Sequence, residues 1–149
     1  MVELAGSLRH ARLAETRTFL GGGLERWRNA KIGIIGLGML GSRFAIEAVR
    51  SGASIWACDP GFVDVENTGT APLRPGLSKL DSVIQSCDEL EPGRASGVVA
   101  DVRSVGVGAL CACDILVDAS DDADLAPFLT DVSNGLQIQL IRGAVDGTG

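Results

Sequence analysis

The stretch Lys31-Ile-Gly-Ile-Ile-Gly36-Leu-Gly38-Met-Leu-Gly41 decides the fold. Lys31 to Ile35 is a compact apolar run, the pattern of a strand buried on both faces of a parallel sheet. Three glycines follow at once, and Ser42 to Ser51 reads as a helix with Phe44, Ala45, Ala48 and Val49 on its inner side. In this setting each glycine has a separate task. Gly36 makes the tight turn, Gly38 lets backbone approach a phosphate, and Gly41 lets helix and strand pack closely. The helix opening at Met39 and Leu40 offers free N–H groups to an anion. Ser54 to Cys58 is a second strand, and Asp59 ends it 18 residues beyond Gly41. An acid there can accept hydrogen bonds from ribose hydroxyls. The pattern predicts an adenine-nucleotide site, and ATP and NAD would both use it.

Outward from this core the alternation continues. Pro60 to Ser78 is rich in turn residues, Lys79 to Leu90 reads as a helix, and Ser96 to Val102 as a third strand. Ser104 to Cys111 is ambiguous, because its two glycines weaken a helix. Asp114 to Asp118 is a strand, Asp124 to Asn134 a helix with Pro127 in its first turn, and Gln137 to Ile141 a last strand. Upstream, Val2 to Thr18 carries a loose helical stripe, Gly21 to Gly23 breaks it, and Leu24 to Asn29 makes a short amphipathic turn. Strands alternating with helices imply parallel pairing through crossovers. The expected fold is α/β: a Rossmann-like three-layer domain with a mostly parallel sheet over 31–149. An N-terminal helical segment, 1–30, would precede it and pack on the core or on a dimer partner.

Composition narrows the function classes. A chain of 149 residues with 46% hydrophobic content suits one domain with a real core. Its net charge of −6 argues against a nucleic-acid groove or an anionic membrane surface as partner. The four cysteines form no CxxC pair, and Cys111 and Cys113 with a single histidine make a weak metal signal. They read as reduced thiols of a soluble, cytoplasmic protein.

The residues after the glycine turn carry a resemblance. Asp59 runs into Val63-Asp-Val-Glu-Asn67, and Gly76-Leu-Ser-Lys79 opens the next helix. Asp114-Ile-Leu-Val-Asp118 continues into Ala-Ser-Asp121-Asp122, Ile141-Arg-Gly-Ala-Val follows, and Arg9-His-Ala-Arg12 precedes the first strand. This ordered set resembles the ThiF/MoeB family, ATP-dependent activators of ubiquitin-like and sulfur-carrier proteins. The resemblance implies that Asp59 holds the ribose, Asn67 and Lys79 contact the triphosphate, Asp121 holds Mg²⁺, and Arg12 reaches a phosphate across a homodimer interface. Arg12, Lys79 and Asp121 would then be the catalytic set. Taken singly, Lys79 is a solvated helix lysine, Asp121 and Asp122 an N-cap pair, Asn67 a turn residue and Arg12 a surface charge. Only their order raises them.

The chain also departs from that pattern. Thr70 stands where the family has an arginine, Ala126 near where a second is usual, and Gly61 where a second strand-end acid falls. Arg74 is the nearest substitute for the first. None of the four cysteines lies where the family's thioester cysteine would be. A complete carrier-activating cycle on this chain is therefore not expected. Two alternatives stay open. Lys31 to Phe62, taken alone, resembles the NAD-binding domain of 2-hydroxy-acid dehydrogenases, although His10, the single histidine, is poorly placed for hydride transfer. A non-catalytic nucleotide-binding homologue is the other.

Overall fold

A computed structural model describes His10 and residues 22–144. The long helix expected over Val2 to Thr18, and Arg12 with it, lies outside the described residues apart from His10.

Five strands form one sheet: β1 (Lys31–Ile35), β2 (Ser54–Cys58), β3 (Ala95–Val98), β4 (Ile115–Asp118) and β5 (Gln139–Arg142). Their order across the sheet is β3-β2-β1-β4-β5, and every neighbouring pair is parallel. β1 lies at the centre because Ile32, Ile34 and Ile35 are buried and need cover on both faces. Gly33 lies between them for want of room: a Cβ would stand 2.7 Å from Leu116 Cδ2.

The helices are α1 (Gly23–Asn29), α2 (Met39–Arg50), α3 (Asn67–Thr70), α4 (Lys79–Asp88), α5 (Val107–Leu110) and α6 (Leu125–Leu136), with a 3₁₀ turn at Val102–Ser104. One core layer joins Ile32, Ile34 and Ala57 of the sheet to Ala45 and Val49 of α2 and Val83 of α4. The opposite layer joins Ile35, Cys58 and Leu116 to Val102, Leu110, Leu125 and Leu129. Each fully buried isoleucine, leucine or valine among these contributes about 1.5–3 kcal/mol. The three-layer α/β architecture is the one expected. No described helix is long and apolar enough to cross a membrane.

Several local expectations change. α2 buries Ser42, Ala45, Ile46 and Val49, so Phe44 sits on its rim, 36% exposed, and not inside. The third strand ends at Val98, four residues early; Val99 to Asp101 leave the ladder and the chain turns at Val102. The ambiguous stretch resolves into the 3₁₀ turn and α5, both too short to show a period. α6 runs on to Leu136, and Gln137 caps it in the left-handed conformation at φ 55°, which delays β5 to Gln139. Ser78 caps α4: its Oγ accepts the Asp81 amide at 2.9 Å. His10 is buried, its Nε2 3.1 Å from the Arg50 carbonyl oxygen.

Candidate functional site

The sheet order reverses between β1 and β4, and the crevice outside their carboxyl ends is where such sheets hold ligands. A cavity of about 550 Å³ opens there. Gly36, Gly38, Met39 and Leu40 form its floor, Asp59 and Lys79 stand on the β2 side, and Asp121 and Asp122 on the β4 side.

The glycine turn is built by contact. Gly36 has φ 87°, and a Cβ there would lie 2.9 Å from the Ser120 backbone nitrogen. At Gly41 a Cβ would collide with the Gly36 carbonyl oxygen. Gly41 is thus buried under the turn rather than in the cavity wall, as its packing role requires. Gly38 differs: nothing lies within 4 Å of its Cβ position, so it faces open space. Gly38 gives α2 no side-chain cap. The amides of Met39 and Leu40 have no carbonyl one turn back and stand at the cavity floor. A 12-residue helix aims its positive end at that point.

Asp59 ties the turn to β2. Its Oδ2 accepts the Leu37 amide at 2.6 Å and its Oδ1 the Gly61 amide at 2.7 Å, which fixes a 7%-exposed carboxylate against the cavity. Lys79, the first residue of α4, comes alongside: its Nζ is 3.3 Å from the Cβ position of Gly61. That crowding accounts for glycine at residue 61, where a side chain would press on both Asp59 and Lys79. Lys79 forms no salt bridge among the described residues.

Asp121 is exposed on the far wall, and its carboxylate accepts no hydrogen bond from the described residues. Asp122 is engaged: Oδ1 accepts the Asp124 amide at 2.9 Å and Oδ2 an Arg103 Nη2 hydrogen at 3.1 Å. Behind them Asp118 is buried. Ser120 Oγ donates to it at 2.6 Å and Arg142 Nε at 2.9 Å.

Lys79, Asp59, Asp121 and the glycine turn therefore meet in one cavity, while Asn67 does not line it. Asn67 starts α3, and its Oδ1 accepts the Asp64 amide at 3.1 Å, the turn role its residue type suggests. Arg74 is no substitute at the cavity: it pairs with Glu89 at 2.6 Å and Gln85 at 3.3 Å along the far end of α4. The cavity is also lined by residues that the sequence does not mark, Asp101 and Cys58 among them. Asp101 was hidden because the apolar run Val98-Val-Ala100 continues the strand pattern past the real end of β3. Its carboxyl is held below the usual range by hydrogen bonds from Arg103.

Cys58 is a wall, not a nucleophile. Burial first, then the charges of Asp59 and Asp101, push its thiol up to about 12. Cys87, Cys111 and Cys113 are also free thiols. Among the described residues, no group of three His, Cys, Asp or Glu side chains is placed to hold a metal.

Comparison with known proteins gives the same fold. No curated protein matches the chain by sequence. E. coli tRNA N6-threonylcarbamoyladenosine dehydratase, TcdA, superposes with TM-score 0.77 at 24% identity, over 97% of this chain and 65% of that one. E. coli MccB superposes with TM-score 0.77 at 17% identity, over 92% of this chain and 42% of that one. The chain thus spans less than two thirds of either relative. TcdA has been solved with ATP and with AMP, and MccB with AMPCPP and MccA. At these identities the superpositions establish the fold alone. The model of the ThiF family matches residues 10–149, nearly the whole chain, and the chain belongs to the ThiF family.

Proposed function

We propose that this chain binds ATP in the cavity at the strand ends and is the nucleotide-holding part of an enzyme that adenylates a carboxylate. The carrying observation is the convergence of a fixed carboxylate (Asp59), open helix amides (Met39 and Leu40) and a cation with no ion pair among the described residues (Lys79) around one cavity. Membership of the family, and the nucleotide complexes of the structurally similar TcdA and MccB, support ATP over NAD.

Asp59 keeps lone pairs beyond the two backbone hydrogen bonds and would accept from ribose hydroxyls. The Met39 and Leu40 amides would hold phosphate oxygens. Lys79 would stand against the charge that grows when a carboxylate oxygen attacks the α-phosphorus and pyrophosphate leaves. The donor set suits a hard divalent ion: Asp121 offers a carboxylate that no described group occupies, and phosphate oxygens would complete the shell. Bound Mg²⁺ would neutralise the leaving pyrophosphate. Arg12 would come from the N-terminal segment of a second copy, making the active unit a homodimer. The acceptor would be the C-terminal carboxylate of a peptide or carrier protein of ubiquitin-like or sulfur-carrier type, and the setting the cytoplasm.

Thr70, Ala126 and the displaced Arg74 leave fewer cations near the phosphates than such transfer normally uses. That observation favours a second reading, in which the chain holds ATP without turning it over. ATP-dependent exchange of labelled pyrophosphate separates the two. Exchange lost in Lys79→Ala supports adenylation; ATP binding with no exchange, in the presence of candidate carriers, supports the holding role.

A further inference from the structure

Four carboxylates line the cavity, those of Asp59, Asp101, Asp121 and Asp122, against the single ammonium of Lys79. An anionic ligand entering such a cavity meets repulsion unless the carboxylates are neutralised. Asp59 is capped by two amides, and Asp121 is the candidate metal ligand. Asp101 and Asp122 share one counter-charge, Arg103.

Arg103 is well made for this. Its Nε lies 3.0 Å from Asp101 Oδ1 and its Nη2 2.6 Å from Asp101 Oδ2, a two-point grip on one carboxylate. The same Nη2 reaches Asp122 Oδ2 at 3.1 Å. Asp101 follows β3 and Asp122 follows β4, so one guanidinium joins two walls that the chain reaches through separate crossovers. The backbone supports the grip, since the Arg103 amide also donates to Asp101 Oδ1, at 2.8 Å. Arg103 does not itself line the cavity; it acts through the two aspartates that do.

We propose that Arg103 is a positioning residue that makes the cavity selective for phosphate-bearing nucleotides, by cancelling the charge of Asp101 and Asp122 where the phosphates must pass. The inference rests on the nucleotide reading above. Its signature is electrostatic: loss of Arg103 should penalise ligands in order of their negative charge. A residue that only braces two loops would penalise every ligand alike.

The test is calorimetric titration of the full chain with ATP, AMP and adenosine, without added metal and at low salt. The proteins are the unaltered chain, Arg103→Ala, and the triple variant Arg103→Ala/Asp101→Asn/Asp122→Asn. Loss of one cation beside two facing carboxylates should weaken ATP roughly tenfold, AMP by less, and adenosine by under about twofold. The ATP penalty should shrink in high salt. The triple variant, which has neither the grip nor the charges, should recover ATP binding to within about threefold of the unaltered chain. Equal weakening of ATP and adenosine, or a triple variant no better than Arg103→Ala, would overturn the proposal and leave Arg103 a brace. Silence of the folded, unaltered chain toward all three ligands, persisting for ATP once Mg²⁺ is added, would overturn the nucleotide reading, and this inference with it.

Discussion

The Leu37 amide donates to Asp59 Oδ2 at 2.6 Å, joining the glycine turn after β1 to the end of β2. Both groups are buried, so this bond fixes the turn and the cavity-lining carboxylate as one unit. Asp59→Ala would leave the Leu37 N–H without its acceptor, at a cost of about 1–3 kcal/mol. Thermal unfolding should show that loss even without nucleotide, and titration of the variant should show ATP binding weakened further. An unchanged melting temperature would mean that water replaces the carboxylate and that the coupling is slight.

Gly38 and Gly41 should separate ligand binding from stability. A Cβ at Gly41 collides with the Gly36 carbonyl, so Gly41→Ala should destabilise the fold by about 1–3 kcal/mol through overpacking. Gly38 faces open space, so Gly38→Ala should melt like the unaltered chain yet lose ATP affinity where a phosphate would lie against the backbone. Parallel melting and binding curves check the pair. The same loss of stability in both would contradict the division.

This division shows what was legible in the residues. β1 and β2 have the bounds read from sequence because strands buried on both faces are continuous apolar runs between clear breaks. Gly36, Gly38, Asp59 and Lys79 stand where their order in the chain suggests, since each is fixed by local structure next to a strand end. Asp101 and Arg103 were not legible. Their importance comes from Asp122, which approaches only through the fold, and no local period marks the end of β3. Asn67 and Arg74 fail for the converse reason. Asn67 is taken by its own turn, and Arg74 finds Glu89, which the turn of α4 brings within 2.6 Å. Phe44 misled because a helix rim position next to a buried stripe has the same residue type as the stripe.

Buried thiols predict an alkaline limit to stability. Burial, with help from Asp59 and Asp101, raises Cys58 to about 12, and burial raises Cys87 to about 11, both from an unfolded value near 9. Above that unfolded value the denatured chain releases protons that the native chain retains. This contribution is therefore full below about pH 9 and is lost as pH rises toward 11 and 12. Melting temperature should fall across that window. Replacing both residues by alanine should flatten the fall while lowering the melting temperature at pH 7 through lost packing. A pH profile that the double variant does not alter would assign the alkaline loss to other groups.

Thiol reactivity follows the same geometry. Cys111 is exposed, whereas Cys58, Cys87 and Cys113 are buried. At pH 8 in the native state, a thiol reagent should label one cysteine rapidly, and Cys111→Ser should abolish that fast phase. Mass spectrometry of the labelled peptide identifies the site. Rapid labelling of Cys58 would contradict a wall buried under the cavity floor.

The proposed occupant of the cavity at the strand ends is ATP, with Asp121 as ligand to the metal that would accompany it. Calorimetric titration of the chain with ATP plus Mg²⁺, with ATP alone and with NAD, repeated on Asp121→Ala, tests it most directly. Mg²⁺ should strengthen ATP binding, Asp121→Ala should lose that strengthening, and NAD should give weak heat or none. Tight NAD binding indifferent to Asp121, or no ATP binding by the folded chain, would contradict it.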